Sequence, residues 1–296
     1  PRKRSPPDEP ARPMPAATPA VALIDRFREI RTLPHIVARL TQLVNDQEST
    51  LQDFEAVIRL DPALVARLLT VVNSAWCGLK RRVDSISRAV ALLGTKNLRN
   101  IAITDAVQGM LCHRAGSTGF SPMRLWLHSA ASGICGKMIA ERIFAINGDD
   151  AYLCGILHDI GLIVELETSE PLFFDLMERL VDGGPTIVDL EREVFATDHG
   201  EIGALLAREW RIAEPVTAAI ADHHRTDLAV APQSAAGILQ ISEYLVHQLG
   251  YGVKDGLSAS LAPELAAHIQ ASVEEYRAVA EDLPAEMERT RQVYGA

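Results

Sequence analysis

Aromatic residues are scarce in this chain: Phe, Tyr and Trp make up 5% of 296 residues, while 48% of the sequence is hydrophobic. Strands draw on aromatic and β-branched residues, so a chain this rich in Ala, Leu and Arg and this poor in rings argues against a β architecture. No apolar run approaches the ~20 residues needed to cross a bilayer. The Arg/Lys-bearing start has no apolar segment behind it, which argues against a secretory signal. A basic excess is also missing. The formal net charge is −10, so the counterion release that drives duplex binding has no broad positive face to work with. The short run Lys80-Arg81-Arg82 reads as a solvated loop.

None of the four cysteines, Cys77, Cys112, Cys135 and Cys154, forms a C-x-x-C pair. Cys135 and Cys154 fall within apolar helical patterns, where a thiol packs as a small hydrophobe. The expectation is a cytoplasmic, reducing compartment without disulfides. There is no G-x-S-x-G and no G-x-x-x-x-G-K-[ST], which removes the common hydrolase elbow and the P-loop.

What is present is helical periodicity with regular punctuation. Residues 1–20 are Pro-rich and polar and read as a disordered tail. Leu23, Ile24, Phe27 and Ile30 then share one helix face, and Ile36, Val37, Leu40 and Leu43 share the next. Asp61-Pro62 is a cap followed by a first-turn proline, before a helix that is apolar nearly all round over Ala63–Asn73. Asp84-Ser85 caps a helix that Gly94 ends, and Thr95 caps the next, Leu98–Leu111. A Gly/Ser loop over 113–121 divides the chain. Helices are predicted beyond it over 122–144, 150–160, 171–182, 186–196, 200–210, 214–224 and 234–248, with two more over 257–294 broken near Pro284. The fold class is all-α. Trp76, Trp126 and Trp210 read as core anchors, and Asn73-Ser74 as a helix end with local hydrogen bonds.

Two blocks carry a family resemblance. The first is Leu33-Pro34, Asp61-Pro62-Ala63-Leu64, Asn73-Ser74-Ala75-Trp76-Cys77-Gly78, Ser85-Ile86, Ala89 and Leu93-Gly94. The second is Trp126-Leu127-His128-Ser129, Gly155-Ile156-Leu157-His158-Asp159-Ile160-Gly161, Glu193, His199, Gly203, Trp210, Ala219-Ile220 and His223-His224. In order and spacing they resemble the bacterial HDOD signalling domain, the regulatory relative of the HD metal-dependent phosphohydrolases. The resemblance implies an HDOD domain over 21–250, with an N-terminal half over 21–112 packed on an HD-like half over 122–250, and a helical extension over 251–296.

The resemblance also implies a site. Its metal ligands would be His128, His158, Asp159, His199, His223 and His224, with Glu243 where the family carries Asp. Imidazole and carboxylate suit one or two ions of Fe, Mn or Zn, and Asp159 would be the catalytic residue if the site hydrolyses. His158 and Asp159 are adjacent, about 100° apart on a helix, so both reach one point only where helices converge. His35, His113, His247 and His268 read as ordinary. Lys137, Arg142 and Arg208, the cations that follow the histidines, read as surface charges. No Gly-Tyr-Pro motif follows the paired histidines, which argues against cyclic dinucleotide phosphodiesterase activity of the HD-GYP kind.

Two functions follow from the resemblance. The leading expectation is a regulatory module without catalysis, acting through a signalling protein partner or a nucleotide messenger, with a homodimer as a further possibility. The alternative is a metal-dependent phosphohydrolase using the His/Asp set.

Overall fold

The computed structural model describes residues 18–30, 35–73, 83–111, 114–117 and 119–294. They form fifteen helices, and the only β-type pairing among them is an isolated bridge between Ser117 and Phe120. The chain is all-α. Among these residues no helix is long and apolar enough to cross a membrane. The Pro-rich start, Leu33-Pro34, the 74–82 segment with Trp76 and the basic run, Cys112 and His113 lie outside the described residues.

Six helices come first: α1 (Pro19–Ile30), α2 (His35–Asn45), α3 (Leu51–Ile58), α4 (Pro62–Val72), α5 (Ile86–Leu93) and α6 (Thr95–Leu111). Their starts are set by side chains that accept the otherwise orphaned N–H groups. Thr50 and Asp53 form a reciprocal capping box at α3. The Asp61 carboxylate accepts from the N–H groups of Ala63 and Leu64, and Pro62 occupies the first turn where it loses nothing. Ser85 accepts from the Arg88 N–H, and Gly94 ends α5 at φ 75°. Asn73, at the end of α4, exchanges bonds with the Val83 N–H and carbonyl.

The second set is α7 (Pro122–Arg142), α8 (Asp149–Leu157), α9 (Ile160–Arg179), α10 (Ile187–Phe195), α11 (His199–Glu209), α12 (Glu214–Asp222), α13 (Ala235–Gln248), α14 (Pro263–Ala271) and α15 (Val273–Tyr294). α7 is the pillar: 15 of its 21 residues are buried, because α6, α8, α13 and α15 pack around it. A histidine on this helix is therefore a core residue. Trp126 is fully buried there, with its ring 5.4 Å from that of Tyr294, while Trp210 is only half-buried. Cys135 and Cys154 are buried free thiols, and burial pushes the Cys135 thiol up to about 12.

Three expectations change. First, α9 begins at Ile160, ahead of the predicted start at 171. It is kinked at Ser169 (φ −150°, ψ 48°), and Pro171 opens only its second segment. Second, the predicted break at Pro284 is absent, and the chain breaks at Ser272 instead. Tyr276, Val279, Leu283 and Met287 form one buried stripe facing α7, and burying them outweighs the ~3 kcal/mol that an interior proline costs. Third, α1 opens at Pro19, within the stretch read as a tail, and packs on α9 and α11.

α8 lies unusually close to α7. A Cβ built on Gly155 would sit 2.2 Å from the Gly133 nitrogen, a backbone atom that cannot move aside. Gly155→Ala is therefore expected to cost about 3 kcal/mol or more, the upper range for overpacking. Urea unfolding of the wild type and variant measures this directly. A change below 0.5 kcal/mol would contradict the tight contact.

Candidate metal centre

The His-Asp pair occupies a joint between helices. His158 ends α8 (φ −56°, ψ −37°) and Asp159 leads into α9 (φ −97°, ψ 13°). The change of direction at this joint lets both side chains reach one point, which adjacent residues within a continuous helix do only over a groove. Gly161 makes the joint fit. A Cβ there would come 2.1 Å from the His199 carbonyl oxygen, so only glycine lets α9 start against the first turn of α11.

All seven predicted site residues converge on this joint. His128 comes from the middle of α7, Glu243 from α13, and His199 from the first position of α11 behind its cap Asp198. His223 ends α12 and His224 follows it. They form two clusters. In one, the Nε2 atoms of His128 and His158 are 3.1 Å apart, with the Glu243 oxygens 3.2 and 3.3 Å away. In the other, His199 Nε2 lies 3.0 Å from the Nε2 atoms of both His223 and His224. Asp159 stands between them. Its Oδ2 is 3.4 and 3.3 Å from His128 and His158, and its Oδ1 is 3.4 and 3.8 Å from His199 and His223.

The opposite ring nitrogens explain this convergence. His128 Nδ1 donates to the Tyr251 carbonyl at 3.0 Å, His158 Nδ1 to Gly155 at 2.8 Å, and His223 Nδ1 to Ile220 at 2.7 Å. His199 Nδ1 donates to both oxygens of Glu191, at 2.7 and 2.8 Å. A carbonyl or carboxylate can only accept, so each Nδ1 keeps its proton and each ring turns its Nε2 inward, where that nitrogen can hold either a second proton or a metal ion. Nε2 atoms facing one another at 3.0–3.1 Å in a dry core need a proton or a metal ion between them. The donor set would suit one or two divalent ions, held by His128, His158 and Glu243 and by His199, His223 and His224, with Asp159 within reach of both clusters.

Burial lowers the His158 and His199 imidazoles, but Asp159 and Glu243 raise the first well above the usual range and Glu191 raises the second, so these rings carry a proton where an ion would otherwise sit. Burial raises the Asp159 carboxyl, but the imidazoles of His158, His128 and His199 overrule it and hold the group well below the usual carboxylate range. Glu243 is likewise held down, against burial, by His128 and His158. His223 falls to about 3, through burial first and then the neighbouring His199 and His158. It stays neutral and able to ligate at any ordinary pH. His128, His158, His199 and His223 are buried, whereas His224 is exposed and marks the open side.

Supporting residues that the sequence does not single out lie just behind the ligands. Ser132, one turn after His128, donates to Glu243. Glu191 is fully buried and orients His199 through both its ring N–H and its backbone N–H. The nearby Glu193, part of the sequence pattern, is exposed and paired with Arg179 instead. Only the eight-residue spacing from Glu191 to His199 could have pointed to Glu191, and that spacing is not helical. Glu165 on α9 is also fully buried, with neither carboxyl oxygen hydrogen-bonded. Burial and then Glu191 push it well above the usual range, so it sits as a neutral acid. His247, read as ordinary, lies with its ring 5.3 Å from that of His128. Lys137, Arg142 and Arg208 are engaged elsewhere, with Asp149, Asp282 and Glu214 respectively.

These features place the chain among all-helical proteins built around a buried His/Asp cluster. The chain belongs to the HDOD domain family, whose family model matches residues 30–226. It is 30% identical over 219 residues to an uncharacterized protein of Treponema pallidum (strain Nichols), covering 72% of this chain and 41% of that protein. The chain therefore spans about two fifths of that relative's length. Its structure is similar to that of a candidate phosphohydrolase from Shewanella amazonensis SB2B, with TM-score 0.67, 26% identity, and 92% and 98% of the two chains covered. It also shares its fold with a candidate signal transduction protein from Marinobacter aquaeolei VT8, with TM-score 0.70, 20% identity, and 93% and 64% covered.

Because Glu191 fixes the orientation of a candidate ligand, Glu191→Ala is expected to weaken metal binding about 10- to 100-fold, as loss of an outer-sphere carboxylate does elsewhere. Zn²⁺ competition against a chromogenic chelator reads this. Unchanged affinity in a folded variant would remove Glu191 from the site.

Proposed function

We propose that this chain is a metal-dependent phosphohydrolase of the HDOD family, acting on a phosphomonoester or phosphodiester. The observation that carries this reading is the single Asp159 carboxylate facing two separate histidine clusters, 3.3–3.4 Å from His158 and His199. Two divalent ions in such a site supply a nucleophile at neutral pH and offset charge on phosphoryl oxygens.

The chain's own residues would do the following. Asp159 bridges the two clusters. His128, His158 and Glu243 close the inner one, where Ser132 steadies Glu243. His199, His223 and His224 form the outer one, and the exposed His224 leaves its open side to substrate. Glu191 holds His199 in the tautomer that presents Nε2.

The regulatory reading has its own support. α6 grips α8 through Asn100 on the Asp149 carbonyl, Lys96 on Asp150, and Thr104 on the Tyr152 hydroxyl. α8 ends in His158, so filling the centre would bear on the first half of the chain. In that reading the same site is a switch, read by a protein partner or a nucleotide messenger.

Elemental analysis of the purified wild type and Asp159→Ala, with hydrolysis of bis(p-nitrophenyl) phosphate, separates the two. The expected result is near-stoichiometric Fe, Mn or Zn in the wild type, at least about tenfold less in the variant, and hydrolysis lost with the metal. A loaded wild type inert toward phosphoesters would sink the hydrolase and leave the switch. A wild type that takes up no metal even after soaking would sink both.

A further inference from the structure

A second cavity, of about 360 Å³, opens on the far side of α7 and lies apart from the centre, since none of the seven candidate ligands lines it. Its size falls within the range of small-molecule sites, which begins at roughly 300 Å³. Its walls come from both sets of helices: α4, α5 and α6 from the first, α7 and α8 from the second, and α15 across the mouth. α15 lies beyond the residues that the family model matches.

The lining is divided. Deep in the cavity are aliphatic side chains, among them Ile101, Ile134 and Met138. At the mouth, Arg142 on α7 and Arg289 on α15 stand on facing helices, both substantially exposed; Lys137, Glu141 and Glu286 also line the cavity, so its cations outnumber its carboxylates by three to two. Arg142 gives Nη1 to Asp282 and Arg289 gives Nη1 to Glu286. A guanidinium carries five donors in a planar fork, so each retains donors for a second acceptor. Exposed ion pairs of this kind contribute little and rearrange at small cost. Aliphatic walls with a pair of guanidinium groups at the entrance suit a molecule with an apolar body and an anionic head.

We propose that the cavity between α15 and the helical body is a binding site for a small amphipathic acid, with its chain among Ile101, Ile134 and Met138 and its carboxylate between Arg142 and Arg289. The bound acid would touch α7, which carries His128, and α8, which ends in His158. Its binding does not depend on the metal centre being catalytic.

Isothermal titration of the full chain with decanoate tests this, with decyltrimethylammonium as the probe of opposite charge. Saturable one-site binding of decanoate is expected, with none of the cationic probe. Arg289→Glu changes an exposed residue and should weaken binding by at least about tenfold, the loss expected for a charge-assisted contact. Thr290→Trp, on the α15 wall, should fill the cavity and abolish binding. Circular dichroism melting establishes that both variants are folded. The proposal is overturned if decanoate does not saturate, if the cationic probe binds equally well, or if folded Arg289→Glu binds decanoate as tightly as the wild type.

Discussion

An imidazole buried in an apolar core must satisfy two nitrogens, and in this chain four buried rings solve the problem the same way. Each shares its Nδ1 proton with an oxygen behind it and turns its Nε2 toward a neighbouring ring. The architecture follows from holding those inward nitrogens together. α7 has to pass through the middle to bring in His128, α8 has to end where α9 begins, and α11 has to start against that joint. Close backbone approaches at Gly155 and Gly161 bring these helices near enough. The negative carboxylate of Asp159 at the centre offsets part of the repulsion, and a divalent cation offsets far more.

The arrangement has a gradient from dry to wet. The His128–His158–Glu243 cluster is enclosed on all sides, while the second cluster ends in the exposed ring of His224. An ion at the inner position would exchange slowly and one at the outer position readily, because ligand exchange needs room for solvent. Glu191 and the neutral Glu165 lie behind the outer cluster, so this side also has the deeper stack of supporting groups.

Much of this was legible in the sequence because it is written locally. Caps such as Asp61-Pro62 and Ser85 are pairs of adjacent residues whose preferences hold wherever they fall, and the helices they open begin where expected. Glu243 came from the family resemblance, which implies a carboxylate on the helix after the paired histidines. What was not legible depends on distant partners. Pro284 should end a helix by its own chemistry, and it does not because α7 offers a buried face on both sides of it. Nothing near Glu191 distinguishes it from the exposed Glu193 two residues on; only the fold places the first against His199 and the second in solvent. His247 reads as ordinary until α13 brings it against His128.

The position of α1 has a kinetic consequence. Its apolar face, Ala20, Ile24 and Phe27, is covered by α9 and α11. Those helices are translated well over a hundred residues later. At typical elongation rates the nascent chain holds that face uncovered for on the order of ten seconds or more. The first of the described helices to leave the ribosome is thus among the last of them to find its place, and its apolar face stays open to chaperones until the histidine-bearing helices arrive to close it.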